Sequence, residues 1–242
     1  MDKYGIIGNP LGHSFSKGFF TEKFTREGID AQYLNFQIPE IKALTKVLKE
    51  NPELKGLNVT LPYKTVVIPF LDELSQEARE IGAVNVIQIR NGHLKGFNSD
   101  IIGFTKSIQP LLKPHHRKAL ILGTGGASKA IRVGLKRLGL EWKYVSRTPS
   151  DGMFCYNDIT AQTLQEYEVI INCSPVGMYP HTNECPALPY EHLTSDNLLF
   201  DLVYNPLTTL FMQKGTQQGA TVKNGLEMLH LQAIASWEFW NE

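Results

Sequence analysis

The segment KALILGTGGASKAIRVGLKRLG, residues 118–139, decides the fold. Its apolar start, ALIL, runs into glycines, and after them Ile131, Leu135 and Leu138 recur at helical spacing on one face. A strand that passes through glycines directly into a helix is typical of a dinucleotide-binding βαβ unit. The sequence therefore predicts a separate nucleotide-binding unit that begins at about residue 101.

The turn itself reads GTGGAS, Gly123 to Ser128. Gly123 permits a tight turn, and Gly125 lets the backbone approach a pyrophosphate with no β-carbon in the way. Gly126 and Ala127 open the helix, whose free N–H groups favour an anion. Ser128 stands where a third glycine is common, so a glycine-rich turn that binds no ligand is the alternative interpretation.

The next predicted strand, in EWKYVSRT, ends in Ser146, Arg147 and Thr148. An NAD-binding protein usually presents Asp or Glu to the ribose at this distance from the glycines. A guanidinium beside hydroxyl groups instead suits a 2′-phosphate, because it donates paired charge-assisted hydrogen bonds. The sequence favours NADP over NAD, and the alternative for Arg147 is an ordinary surface charge.

Composition limits the remaining classes of function. The 242 residues allow one large α/β domain or two smaller ones, and 24 basic residues balance 24 acidic ones, so nothing indicates a nucleic-acid partner. Three cysteines without a metal-binding spacing are interpreted as reduced thiols, which favours the cytoplasm. No apolar stretch approaches the roughly 20 residues that span a bilayer, so no membrane partner is expected.

The first hundred residues alternate strand-like and helical patterns, which predicts a largely parallel sheet. Asn91-Gly92 predicts a hairpin turn, and a helix is expected to begin near Asp100. The seven histidines show no ligand spacing, so a metal-dependent enzyme is disfavoured, and His115-His116 is interpreted as part of a solvated loop.

Nine motifs, in order across nearly the whole chain, resemble those of the shikimate dehydrogenases: GNPLGHSFS, NVTLPYK, GAVNV, NSD, GTGGAS, SRT, NCSPVGM, DLVYNPLTT and NGLEMLHLQ. The resemblance implies reversible, NADP-linked interconversion of 3-dehydroshikimate and shikimate in aromatic amino acid biosynthesis. It also implies two α/β domains. Residues 1–100 plus about 222–242 would bind the substrate, with the C-terminal helix packed back on this first domain, and residues from about 101 to 221 would form a Rossmann-like NADP-binding domain.

By the same resemblance, Lys64 and Asp100 are the catalytic pair. Lys64 follows an apolar run in GLNVTLPYK, where a solvated surface lysine is the alternative. Oxidation of a secondary alcohol sends a hydride to the nicotinamide and a proton to a base, so a proton-transfer group is required. Which member of the pair carries the proton stays open, because a nearby carboxylate favours protonated lysine and burial favours the neutral amine.

The remaining site residues are also carried over by resemblance. Neutral hydroxyl and amide groups suit a polyhydroxylated ring that bears one carboxylate, although SFS alone would also cap a helix. The substrate-binding set is Ser14, Ser16, Asn58, Thr60, Asn85, Tyr204 and Gln232. The cofactor-binding set adds Ser174, Leu202, Gly225 and Met228 to the glycine turn and to Ser146, Arg147 and Thr148.

Three features depart from the family pattern. Ser99 replaces a common threonine, and Glu227 replaces a common glycine beside the nicotinamide end, where a carboxylate needs a partner or solvent. The segment after Thr148 is short, and Asp151 lies near where a second basic residue is frequent. We therefore expect a weaker or less selective grip on the 2′-phosphate.

Two other functions stay open. One is a quinate/shikimate or related polyol dehydrogenase, and the other is a non-catalytic NADP-binding regulator, which retention of both Lys64 and Asp100 argues against. The sequence does not distinguish a monomer from a homodimer.

Overall fold

The computed structural model describes residues 1–12 and 15–242, and this part of the chain divides into two units. The first contains residues 1–99 and 232–242, and the second contains residues 100–231. The sequence placed the return to the first domain near residue 222, whereas the units divide at Gln232 within one helix.

The second unit is built on a five-stranded, fully parallel sheet. Its elements are α4 (Asp100–Ile108), β7 (Lys118–Leu122), α5 (Gly126–Arg137), β8 (Glu141–Val145), α6 (Ala161–Glu166), β9 (Val169–Asn172), β10 (Leu198–Asp201), α7 (Leu210–Gln217), β11 (Thr221–Lys223) and the start of α8 (Leu226–Asn241). The strands lie in the order β11-β10-β9-β7-β8. Parallel strands need crossovers, and here those crossovers contain helices that cover both faces of the sheet.

Strand β7 is buried on both faces. Leu120 and Leu122 pack in a core that includes Phe211 of α7, whereas Ile121 packs in the opposite core with Ile131 of α5. Successive side chains of a strand point to opposite faces, so an unbroken apolar run is what a strand covered on both sides requires. The predicted dinucleotide-binding βαβ unit is confirmed here as strand, glycine turn and helix.

The first unit is built on a six-stranded mixed sheet. Its elements are β1 (Asp2–Gly8), α1 (Phe15–Glu27), β2 (Ala31–Gln37), α2 (Leu44–Glu50), β3 (Leu54–Val59), β4 (Glu73–Leu74), α3 (Gln76–Ile81), β5 (Val86–Arg90), β6 (His93–Phe97) and the end of α8. The strands lie in the order β2-β1-β3-β5-β6-β4. Among the described strands of this sheet only the pairs β3·β5 and β5·β6 are antiparallel, so the prediction of a largely parallel sheet is confirmed.

The predicted hairpin joins β5 to β6. Asn91 and Gly92 have φ angles of 51° and 80°, and Arg90 pairs with His93 across the turn. Positive φ at both central residues is the requirement of the two-residue turn that matches the twist of the strands. The turn was therefore readable from two residues.

Aromatic side chains fix the C-terminal end of α8 on the first unit. Trp240 lies 4.9 Å from Tyr4 and 5.0 Å from Phe20, measured between ring centroids, and its indole N–H donates to the Ile87 carbonyl at 3.1 Å. An indole buries a large apolar area while its N–H keeps a partner. The expectation that the C-terminal helix packs back on the first domain is confirmed.

The prediction of a solvated His115-His116 loop is wrong for His116. That side chain is 5% exposed, its Nδ1 accepts from the Lys113 N–H, and its Nε2 lies 3.0 Å from the Asp196 carbonyl. Burial lowers the pKa of His116. The His116 ring thus connects two loops through hydrogen bonds. Two adjacent histidines in the sequence do not predict such a contact.

None of the helices that the structure describes is long and apolar enough to cross a membrane.

We expect Gly56→Ala to destabilise the first unit. Gly56 lies on β3 with the Trp240 indole directly against it, so a methyl group would overlap the ring. Overpacking of this kind costs about 1–3 kcal/mol. Urea unfolding would measure it, with Gly18→Ala as the control. Gly18 lies inside α1 with no described atom within 4 Å of the added methyl, so this change should stabilise by up to about 1 kcal/mol. Equal stability of Gly56→Ala and the wild type would contradict the packing.

Candidate active site

The chain reverses direction across the second sheet at β7. Strand β8 lies on one side of β7, and the next strand in sequence, β9, lies on the other. In an open parallel sheet, ligands bind in the crevice at such a reversal, outside the carboxyl ends of the strands. The two loops that border this crevice begin at Gly123 and Cys173.

The glycine turn has the geometry that its sequence predicts. Gly123 has a φ of 101°, which disfavours any side chain, and its N–H donates to the Val145 carbonyl at 2.9 Å. Gly125 is extended backbone immediately before α5, and a β-carbon there would meet no described atom within 4 Å. Gly126 and Ala127 form the first turn of the helix, where backbone N–H groups are left over from the helical hydrogen-bond pattern and favour an anion.

Ser128 has a local role that the missing third glycine did not suggest. Its side chain is buried, and its hydroxyl donates to the Gly125 carbonyl at 2.7 Å. The Tyr144 hydroxyl, from β8, in turn donates to the Ser128 carbonyl at 3.3 Å. The serine thus links the glycine turn to the first turn of α5 and to the neighbouring strand.

The predicted 2′-phosphate group of residues follows β8. Arg147 and Thr148 are exposed, and the Thr148 N–H donates to the Ser146 hydroxyl at 3.2 Å. The short segment beyond them folds back on the free edge of β8, where Phe154 bridges Val145. In this segment Phe154 pairs with the edge of β8, and Asp151 is exposed in the turn that precedes Phe154.

Four of the seven predicted substrate-binding residues, Ser16, Asn58, Asn85 and Gln232, lie in one buried polar network of the first unit. Asn58, on β3, accepts a hydrogen bond from the Tyr33 hydroxyl at 2.7 Å and donates to the Ser236 hydroxyl at 3.0 Å. Ser16, on α1, is hydrogen-bonded to Tyr33, whose pKa burial raises above its usual range. These side chains are at most 8% exposed, and Ser236 is fully buried.

The network continues through Asn85, which precedes β5. Its side-chain oxygen, Oδ1, accepts from the Ser99 N–H at 2.7 Å, and its side-chain NH₂ group donates to the Gln232 side-chain oxygen at 3.4 Å. The Ser99 and Ser236 hydroxyls lie 3.2 Å apart, which closes the network. Sequence reasoning missed Tyr33 and Ser236, although Ser236 follows Gln232 by one helical turn on the same face of α8.

Lys64 and Thr60 lie beyond the end of β3. Thr60 continues the strand, with its N–H donating to the Ile7 carbonyl at 3.0 Å. Lys64 is half-buried, and its carbonyl accepts from the Val84 N–H at 2.7 Å, so the loop that carries it is fixed to the chain before β5. The residue therefore lies in a turn whose backbone is hydrogen-bonded to the chain before β5.

The other predicted polar residues have different positions. Asp100 is the first residue of α4, which confirms the predicted start of this helix, and the residue is 6% exposed. Tyr204 is half-buried in the second unit, and burial raises the pKa of its hydroxyl. Ser14 lies outside the described residues.

Three residues predicted to bind the cofactor lie beyond β10. Leu202 follows the strand, and its carbonyl lies directly against Gly225, whose N–H donates to the Val203 carbonyl at 3.2 Å. Met228 is buried in the core of the second unit. Glu227 forms an ion pair with Lys223 and is half-exposed, so the partner that its carboxylate needs is present.

Asp201, the last residue of β10, is a buried carboxylate that sequence reasoning did not assign. It is 0% exposed and accepts hydrogen bonds from Asn172 at 3.0 Å and Thr209 at 2.6 Å. Burial outweighs these bonds and raises the pKa of Asp201 from 3.8 to about 6. An acidic residue that ends an apolar strand, as in LLFD, was the available signal.

Across the described residues, no three His, Cys, Asp or Glu side chains lie close enough together to hold a metal ion.

We expect Asp201 to make stability depend on pH. Because its folded pKa of about 6 exceeds the ordinary 3.8, its stabilising contribution is full below about pH 4 and is lost as pH rises through about 6. As pH rises over this range, the free energy of unfolding of the wild type should fall by up to about 3 kcal/mol relative to that of Asp201→Asn. Burial raises the pKa values of the neighbouring Cys173 and Tyr190, so these groups stay neutral throughout. Urea unfolding of both proteins at about pH 4.5 and about pH 7.5 would measure the difference, and a gap that does not change would contradict the assignment.

Comparisons with known proteins give the family. A family model described as the shikimate dehydrogenase substrate binding domain matches residues 6–87. The shikimate dehydrogenase (NADP(+)) of Bacillus mycoides is 34% identical, over 98% of this chain and 91% of its own length. The solved shikimate 5-dehydrogenase of Thermus thermophilus, in complex with NADP(H) and shikimate, is 31% identical with a TM-score of 0.87, over 99% of this chain and 93% of that one. The ligand-free 5-ketofructose reductase of a Gluconobacter strain is 27% identical with a TM-score of 0.83, over 99% and 92%. The predicted resemblance and the two-domain α/β fold are thereby confirmed, and the chain belongs to the shikimate dehydrogenase family.

Proposed function

We propose that this protein catalyses the reversible reduction of 3-dehydroshikimate to shikimate with NADPH. The observation that carries the proposal is the family match, in which a relative named for this enzyme is 34% identical over 98% of the chain. The reaction is a hydride transfer at a secondary alcohol, so the chain must hold a nicotinamide cofactor, read a polar ring and move one proton. The described residues offer groups for each task.

The second unit, with residues of about 101 to 221, is proposed to bind NADP, which supplies the hydride acceptor or donor when bound. The open glycine turn at Gly123 and Gly125 suits the pyrophosphate, because backbone N–H groups and the dipole of α5 favour anions there. The exposed Arg147 suits the 2′-phosphate. Further cofactor residues are proposed to be Gly126, Ala127, Ser128, Ser146, Thr148, Ser174, Leu202, Gly225 and Met228.

The first unit is proposed to bind the substrate. Amides and hydroxyls both donate and accept, so a network of them matches ring hydroxyls without adding charge. Because the network is already hydrogen-bonded, its side chains are held in fixed orientations before a ligand arrives. The proposed set is Ser14, Ser16, Asn58, Thr60, Asn85, Tyr204 and Gln232, and the proposed domain is residues 1–100 plus about 222–242.

Lys64 and Asp100 are proposed to share the proton transfer. A cationic amine hydrogen-bonds the ketone oxygen and donates the proton as the hydride arrives, and in the reverse direction the neutral amine accepts it. A nearby carboxylate stabilises the protonated lysine, which is the form needed for reduction of the ketone. Lys64 and Asp100 together thus provide a proton donor for reduction and a proton acceptor for oxidation.

A related polyol dehydrogenase, including a quinate/shikimate enzyme, is the second candidate. The likeness to 5-ketofructose reductase favours it, because that protein is named for a different polyhydroxylated ketone. Turnover of shikimate, quinate and 5-ketofructose in parallel would distinguish the two. A non-catalytic NADP-binding regulator would turn over none of them. Cytoplasmic location and a monomeric or homodimeric state stay predictions from the sequence.

We expect Lys64→Ala to lower kcat for shikimate oxidation by about 10²- to 10⁴-fold, because a positioned proton-transfer group contributes that much. The absorbance of the NADPH that forms measures the rate of shikimate oxidation. Lys55→Ala is the matched control, since Lys55 is an exposed lysine on the same region of chain, in β3. Loss of activity in both variants, or in neither, would contradict the role of Lys64.

We expect Arg147→Ala to lower kcat/KM for NADP by about 10- to 100-fold and to leave that for NAD unchanged. The reason is that hydrogen bonds to a charged phosphate are worth about 1.5–3 kcal/mol. Arg117→Ala is the control, because this exposed arginine precedes β7 at the opposite end of the sheet. An equal loss with both cofactors would show that Arg147 does not read the 2′-phosphate.

The wild type tests the expected weak selectivity in the same assay. Comparable kcat/KM with NAD and NADP would support a one-arginine site, and a preference for NADP above about a thousandfold would defeat it.

A further inference from the structure

The Asp201 carboxylate joins three segments at the carboxyl edge of the second sheet. Besides Asn172 and Thr209, the Val203 N–H donates to it at 3.0 Å. Thr209 also caps α7, since its hydroxyl accepts from the Met212 N–H at 3.3 Å. One fully buried side chain therefore holds the end of β9, the loop after β10 and the start of α7.

Asp201 sets the orientation of the Asn172 amide. Asn172 is the last residue of β9 and lies opposite Asp201 in the sheet register. An ionised carboxylate only accepts hydrogen bonds, so the NH₂ group of Asn172 must face it. The amide oxygen is then left for Ser174, whose N–H and hydroxyl both donate to it, at 3.1 and 2.6 Å.

Ser174 in turn borders the glycine turn. A β-carbon added at Gly123 would lie 3.5 Å from both the Cβ atom and the backbone nitrogen of Ser174. The loop after β9 therefore forms the wall opposite the turn in the crevice between β7 and β9. A second link from the Asn172 amide to the Val176 carbonyl, at 3.3 Å, holds the same loop.

We propose that Asp201 is a positioning residue for the cofactor: it fixes the Asn172 amide, which holds the Ser174 loop against the glycine turn. The proposal rests on the proposed function, since it needs a dinucleotide in this crevice. Asp201 itself is fully buried, and its effect on the cofactor is through Asn172. If Asp201 only stabilised the fold, its substitution would lower stability but would not weaken NADPH binding in particular.

Asp201→Ala and Asp201→Asn separate these roles. Alanine removes the acceptor and frees the Asn172 amide to turn, so the Kd and KM for NADPH should rise by about tenfold or more, with the KM for the shikimate-class substrate within about twofold. Asparagine keeps an oxygen toward Asn172, and its NH₂ group meets the Thr209 hydroxyl, which also accepts. Asp201→Asn should therefore bind NADPH within about threefold of the wild type.

Glu168→Ala is the matched control. Glu168 precedes β9 at the opposite end of the strand and accepts from the Arg117 and Lys118 N–H groups, each at 3.2 Å. Its loss should lower stability and leave the Kd for NADPH unchanged. The double variant Asp201→Ala/Ser174→Ala should weaken NADPH binding by less than the product of the single effects, because the two residues act in one chain of contacts.

Fluorescence titration with NADPH gives Kd without turnover, so it decides the positioning role even if no tested substrate is oxidised and the proposed reaction fails. An unchanged Kd in Asp201→Ala, an equal rise in Glu168→Ala, or equal damage from alanine and asparagine would overturn the proposal. A wild type that does not bind NADPH would also overturn it. If Asp201→Ala does not fold, Asn172→Ala replaces it, with the same expected rise in Kd and the same result against the proposal.

Discussion

The reversal of chain direction at β7 is the constraint on which the second unit depends. Because β8 and β9 lie on opposite sides of β7, the helices that follow must cover opposite faces of the sheet. The loops at the carboxyl ends of β7 and β9 then diverge, which leaves the crevice between them open. The glycine turn, the start of α5 and the Ser174 loop all border this opening, so these residues, which are proposed to bind the cofactor, are close together because of the strand order.

The same edge of the sheet shows how a costly group becomes useful. Burial of the Asp201 carboxylate raises its pKa to about 6, because the ionised form is less stable in the protein interior than in water. Three donors offset part of that cost, and in return the carboxylate gives the Asn172 amide one orientation. A single neutral hydroxyl in its place would leave that orientation less defined, because it both donates and accepts.

The first unit uses neutral polar groups for a similar purpose. Asn58, Asn85 and Gln232 reach the network from two segments of the sheet and from α8, which is far away in sequence. Each buried amide has a partner, which avoids the cost of an unsatisfied polar group. Trp240 and its aromatic neighbours dock the end of α8, and this packing keeps Gln232 and Ser236 in the network. Apolar packing and polar geometry are thus coupled through one helix.

Local patterns determined much of this protein. The glycine turn, the Asn91-Gly92 hairpin and the start of α4 at Asp100 follow from backbone requirements that a few neighbouring residues set, so each was predictable from the sequence. The roles proposed for Lys64 and Asp100 came from family resemblance, because neither residue alone differs from an ordinary lysine or a helix-initiating aspartate.

Only the tertiary structure decided which polar residues meet. His116, Asn172, Ser236 and Asp201 look ordinary in the sequence. The bonds that join them to other strands, loops or helices reach partners from 8 residues away, for Asp201 and Thr209, to 178 residues away, for Ser236 and Asn58. A hydrogen bond depends on distance and direction in space, which the pairing of strands sets and local periodicity does not. The sequence thus determined the elements and the chemistry that they carry, and the fold decided how those groups are joined.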